Sequence, residues 1–192
     1  MAQAVVTEGL SIDNPLFRVY AFYCAVLVLK MMFIAVFTGM TRSKTKTFAN
    51  PEDAAYRQGK VKQDDNVERV RRAHLNDVEN IPIFLVVSLV YILTNPSYFL
   101  ATLLIRAFTL ARIIHTVVYA VVVIPQPARA LSWSVGFGIT GYMALQNLIY
   151  FCSCLAAAKL VDKGRVSKVS HGSTVGFKLN SDWLILKICE SD

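Results

Sequence analysis

The stretch ERVRRAHLNDVENIPIFLVVSLVYIL, Glu68 to Leu93, decides how the chain is read. Its first half carries Glu68, Arg69, Arg71, Arg72, His74, Asp77 and Glu79, and its second half, Ile81 to Leu93, carries no charge. No glycine or turn signal separates the halves, so both belong to one helix. A bilayer core takes about 20 apolar residues, which makes Ile81–Leu93 too short to cross alone. Counted back to Asp65, the helix is roughly 40 Å long at about 1.5 Å per residue. The charged half therefore enters the membrane or stands just above it. Pro82 removes one backbone donor and is expected to weaken or kink the helix.

The rest of the chain agrees with a membrane setting. Of 192 residues, 55% are hydrophobic and only 17% charged, against about a quarter charged in soluble domains; mean hydropathy is +0.46. The net charge of +7 lies in lysines and arginines that flank apolar runs, a pattern of membrane loops and not of a nucleic-acid-binding domain. The expected architecture is an all-α membrane protein, a four-transmembrane-helix bundle over residues 1–158 with spans near 15–40, 66–93, 98–124 and 130–158. The first span follows no basic n-region and is too long for a signal peptide, so it reads as retained. Lys30 lies well inside it and must face protein or water. The loop from Thr41 to Asp65 holds Arg42, Lys44, Lys46, Arg57, Lys60 and Lys62 and is expected on the cytoplasmic side, with a helix start at NPED. Residues 159–192 are polar and basic and read as a poorly ordered tail, whose charge runs against that topology.

Helical geometry sorts the charges. At about 100° per residue, Arg69, Arg72, Asn76 and Glu79 share a narrow arc, and Arg112, His115 and Tyr119 share one face of the third span. Ionisable groups inside a membrane usually face a bundle interior or a water-filled cavity. Two readings stay open: the stripes pair with each other and lock the bundle, or they bind a charged, peptide-like ligand. Arginines suit carboxylates through paired hydrogen bonds, and Glu79 suits an ammonium group. Arg129, in PQPARALS, stands at the cytoplasmic mouth. It contacts lipid phosphate or stabilises an anion such as a thiolate, since a nearby cation lowers a thiol pKa from about 8.5. The histidines His74, His115 and His171 lack metal-ligand spacing, and no phosphate loop or nucleophile elbow is present. Cys24, Cys152, Cys154 and Cys189 read as small hydrophobes without a disulfide framework.

The motifs FANPEDA (48–54), DDNVERVRRAHLNDVENI (64–81), ARIIHTVVY (111–119) and PQPARALS (125–132) resemble the MAPEG family of membrane glutathione enzymes over about residues 15–155. The resemblance implies a homotrimer in the endoplasmic reticulum, also the mitochondrial outer membrane, with a glutathione site between subunits that opens to the cytosol. It implies glutathione contacts at Arg42, Arg72, Asn76, Glu79, His115 and Tyr119, and thiolate stabilisation by Arg129. The implied activity is conjugation of glutathione to hydrophobic electrophiles and reduction of lipid hydroperoxides, without a metal and without nucleic acid. The alternatives are a glutathione-dependent isomerase of prostaglandin endoperoxides and a non-catalytic lipid-binding scaffold. The family's transferases carry a reactive cysteine where this chain has Ala54. Its isomerases carry a serine, a tyrosine and an arginine where this chain has Ala130, Trp133 and Leu75, which favours the transferase.

Overall fold

The computed structural model describes residues 9–162, 167–171, 174–178 and 183–189, with side chains from Gly9 to Lys159. Asn14 opens α1, Pro15–Thr45: its Oδ1 accepts the Leu16 N–H at 2.9 Å and the Phe17 N–H at 3.4 Å, and Pro15 sits where no donor is needed. Nothing stops the helix at the expected Met40. Thr41 and Thr45 donate to carbonyls one turn back at 2.8 and 3.1 Å, and α1 ends only where Lys46 turns left-handed at φ 53°.

The basic loop has structure of its own. Strand β1, Thr47–Phe48, pairs in parallel with β2, Lys60–Val61, around the short helix α2, Pro51–Tyr56. The expected NPED helix start is here, with Glu52 and Asp53 in the first turn. A Cβ on Gly59 would come within 2.4 Å of the Phe48 ring and 2.8 Å of the Lys46 carbonyl oxygen, so only glycine lets the chain cross at this point.

Asp64 caps α3, Asp65–Leu93, by accepting the Asn66 and Val67 N–H groups at 3.0 and 3.3 Å. The helix continues through Pro82, which is exposed. After a turn with Asn95 at φ 51°, α4, Tyr98–Thr116, runs back and passes into a wider helical turn, Val117–Val121. There the Val122 N–H reaches the Val117 carbonyl at 2.8 Å, and the span stops short of the expected Ile124. Helix α5, Ala128–Asp162, starts and ends two to four residues beyond the expected limits.

All four long helices are long and apolar enough to cross a membrane. Helices α1 and α5 each pack on both α3 and α4, which meet across the centre of the bundle. The main core joins Leu27, Ile81, Phe84, Tyr91, Ile105, Phe108 and Met143, with the Phe84 and Phe108 rings stacked at 3.6 Å. Two polar groups tie helices together without leaving the core: Tyr20 donates to the Leu85 carbonyl and Asn147 to the Val87 carbonyl, each at 3.0 Å. A smaller cluster, Ile34, Val70 and Ala73 with Phe37 and Tyr119, lies toward the end where α1 finishes and α3 begins. The expected loose tail falls largely outside the residues whose side chains are described. Where its backbone is described it forms β3, Ser167–His171, β4, Thr174–Lys178, and β5, Trp183–Cys189, paired antiparallel in the order β3-β4-β5.

Candidate functional site

The inward face of α3 runs Val67, Val70, Ala73, Asp77, Ile81, Phe84, Ser88 and Tyr91. Asp77 is the one acid in that register, and it is fully buried. Both of its carboxylate oxygens are occupied. Oδ1 accepts from Arg112 Nη2 at 2.6 Å; Oδ2 accepts from Lys30 Nζ and, at 3.3 Å, from the Thr116 hydroxyl. Arg112 is also fully buried and Lys30 keeps only 10% of its side-chain surface. Lys30 thus faces protein, as its place in an apolar run required. Two cations and one carboxylate leave this cluster one positive charge in surplus. Among the described residues Arg112 Nε and Nη1 and His115 Nδ1 have no partner. Buried polar atoms of that kind favour an occupant with hydrogen-bonding atoms.

From this cluster a line of side chains climbs α4 toward the end of the bundle that carries the basic loop. His115 is buried one turn above Arg112, and its ring lies 5.5 Å from that of Tyr119. Tyr119, in the widened turn, packs on the Ile34–Val70–Ala73 cluster. The Arg129 guanidinium, in the first turn of α5, stands 4.5 Å over the Tyr119 ring, a cation–π contact. Gln126 caps that helix start, its side-chain oxygen accepting the Ala130 N–H at 3.2 Å.

The seven expected residues are therefore distributed in four places. His115, Tyr119 and Arg129 form the line just described. Asn76 is half-buried and its Oδ1 accepts from Arg112 Nη2 at 2.8 Å, which joins it to the central cluster. Arg42 lines a separate cleft of about 360 Å³ with Phe48, Asp64, Glu68 and Arg71. Arg71 there pairs with Glu68 at 3.0 Å. Arg72 and Glu79 do not face the bundle interior, as their stripe suggested; both are exposed on the flank of α3. The reason is angular: the buried face is centred on Ala73, Asp77 and Ile81, and the stripe sits to one side of it. Neither forms an ion pair among the described residues.

Sequence reasoning placed Arg112 on the polar face of α4 but left Lys30, Asp77 and Thr116 out of the site. The signal was present: a lysine inside an apolar run needs a buried anion, and Asp77 alone keeps the spacing of the apolar face. Among the described residues no group of His, Cys, Asp or Glu is arranged to hold a metal ion.

A family model described as MAPEG family matches residues 20–149. Microsomal glutathione S-transferase 1 of Homo sapiens is 45% identical over 142 residues, 71% of this chain and 91% of that protein. The Bos taurus protein of the same name is 44% identical over the same shares. Prostaglandin E synthase of Macaca fascicularis is 36% identical over 143 residues, 73% of this chain and 93% of that protein. By the extent of both matches, the chain belongs to the MAPEG family.

Proposed function

We propose that this chain is a membrane glutathione transferase, which conjugates the glutathione thiolate to hydrophobic electrophiles and also reduces lipid hydroperoxides. The observation that carries this reading is the Arg129 guanidinium held 4.5 Å over Tyr119, at the head of a line that runs down to buried His115. Arg129 stands in the first turn of a 35-residue helix, where the free N–H groups add a partial positive charge. A thiolate placed there meets a fixed cation and a helix N-terminus together. Arg42 and Arg72 suit the two carboxylates of glutathione, Glu79 its ammonium, and Asn76, His115 and Tyr119 its peptide groups. The thiolate sulfur attacks an electrophilic carbon, a C–S bond forms, and a halide leaves with the bonding pair; the thiol proton goes to solvent. With a hydroperoxide, the sulfur takes the terminal oxygen and releases the alcohol. A second glutathione then yields the disulfide and water.

The exposure of Arg72 and Glu79 supports a site completed by a second copy of the chain, in a homotrimer. An unpaired carboxylate midway along a spanning helix is costly when it faces lipid, and a neighbouring subunit with bound glutathione removes that cost. The basic end, with Arg42, Lys44, Lys46 and the α2 loop, supports a cytosolic mouth by the positive-inside rule. The membrane assigned is that of the endoplasmic reticulum, and also the mitochondrial outer membrane. Trp133, Ala130 and Leu75 favour the transferase over the prostaglandin isomerase.

Purified full-length protein in detergent is expected to conjugate glutathione to 1-chloro-2,4-dinitrobenzene and to reduce a lipid hydroperoxide. Absence of turnover, together with no glutathione binding by calorimetry, overturns the reading. Product analysis with a prostaglandin endoperoxide separates the isomerase from the transferase.

A further inference from the structure

We propose that Arg112, anchored by the buried Lys30–Asp77 pair, is a positioning residue that fixes the Asn76 side chain as a hydrogen-bond donor toward the bound ligand. The inference rests on the glutathione reading above and adds which chemical group the site accepts at this point.

A carboxamide offers an oxygen acceptor on one side and an NH2 donor on the other. A guanidinium has five donors and no acceptor, so the Asn76 atom lying 2.8 Å from Arg112 Nη2 must be the oxygen. The amide is planar, and fixing its oxygen fixes the NH2 group. Among the described residues that NH2 group has no protein partner, and Asn76 is only half-buried. It therefore presents two donors to the flank of α3, where Arg72 and Glu79 also stand.

The direction does not depend on the ligand. The same Arg112 nitrogen holds Asp77 Oδ1 at 2.6 Å, and Asp77 Oδ2 is held by Lys30 of α1 and Thr116 of α4. Three helices thus set the orientation of one amide before anything binds, and a preorganised donor loses no rotamer freedom on binding. The ligand group taken at Asn76 is then an acceptor, a carbonyl or carboxylate oxygen of the peptide, and an amide N–H is rejected there. Arg112 itself is fully buried and acts through Asn76.

The test is a double-mutant cycle on the full chain in detergent, with glutathione as the probe in calorimetry and in conjugation kinetics. Asn76→Asp keeps an oxygen for Arg112 and removes the NH2 group. It is expected to weaken glutathione binding about tenfold or more, the loss expected for a hydrogen bond to a charged or strongly polar group, with wild-type thermal stability. Arg112→Lys keeps a cation for Asp77 but cannot bridge to Asn76. It is expected to raise KM for glutathione severalfold while kcat is retained. The combined variant is expected to bind no worse than Asn76→Asp alone, because the two changes remove one interaction. Additive losses overturn the positioning role, as does wild-type affinity in Asn76→Asp. If Arg112→Lys fails to fold, Asn76→Asp still decides the donor assignment. A wild-type chain that binds no glutathione overturns the functional reading and this one together; a wild-type chain that binds it while Asn76→Asp does so equally well overturns this one only.

Discussion

The centre of the bundle and its basic end treat charge in opposite ways. At the centre, Lys30, Asp77 and Arg112 are almost wholly withdrawn from solvent, and every oxygen of the carboxylate is bonded. At the basic end Arg42 is half-buried and Arg72 is exposed, and Glu79, farther along the same outer flank of α3, is exposed too, all without ion pairs among the described residues. A satisfied buried charge holds helices in register; an unsatisfied one near the surface waits for a ligand or a neighbouring chain. The same residue types occur on both the inner and the outer face of α3, and neighbours decide which task each performs.

The sharpest way to break this comparison is at Asp77. Asp77→Ala leaves two buried cations without an anion, and removing one partner of a buried pair costs about 3–5 kcal/mol. Thermal unfolding in detergent should show that loss, and glutathione binding should fall with it. A variant as stable as the parent would mean that water reaches the cluster and that the centre is not a structural lock.

Arg129→Ala tests the other end and should separate stability from chemistry. The side chain is only half-buried, and its guanidinium stands over the Tyr119 ring. Unfolding should shift little. The thiolate absorbance of bound glutathione should fall, and the conjugation rate should drop by about a hundredfold, the scale seen when one anion-stabilising donor is removed. Unchanged absorbance would remove the assigned role of Arg129 and leave the fold untouched.

Next comes the loop that follows the helix carrying Arg42. Gly59→Ala places a methyl group against Phe48 and the Lys46 carbonyl, at 2.4 and 2.8 Å. Relief requires the β1–β2 pairing to shift, and overpacking of this kind costs about 1–3 kcal/mol. Because Phe48 and Arg42 line one cleft, KM for glutathione should rise while kcat at saturation holds. A rise in neither stability loss nor KM would uncouple the loop from the site.

These cases also show why the sequence was readable in part. The spans were legible because apolar length is a direct requirement of the bilayer, and the NPED helix because proline and two acids suit a first turn. Helix ends were less legible: α1 passed Met40 because threonines can bond back to the helix instead of breaking it. The arc of Arg72, Asn76 and Glu79 was real, but an arc has no direction until the apolar face beside it is located. That face, Val70, Ala73, Asp77, Ile81 and Phe84, contained its own acid, and the acid rather than the stripe points inward. The meeting of Arg129 with Tyr119 was hidden for another reason. It depends on the widened turn at Val117–Val121 and on the path of the chain to Ala128, and neither has a periodic signature.

The smallest expected effect sharpens the contrast most finely. Glu68 and Arg71 pair at 3.0 Å with side chains 23% and 64% exposed, so the bond contributes at most about 0.5 kcal/mol. Glu68→Gln should leave unfolding unchanged. Glu68 also lines the cleft of Arg42, and removing its charge frees Arg71 and makes that cleft more positive. Affinity for an anionic tripeptide should therefore rise slightly, by less than about threefold, since an exposed charge is worth under about 1 kcal/mol. The gain should vanish near 1 M salt, where the screening length is about 3 Å. Stability that rests on Asp77 should not respond to the same salt, because ions do not reach a fully buried carboxylate. Salt thus distinguishes two positions on one helix: a charge that locks ignores it, and a charge that recruits does not.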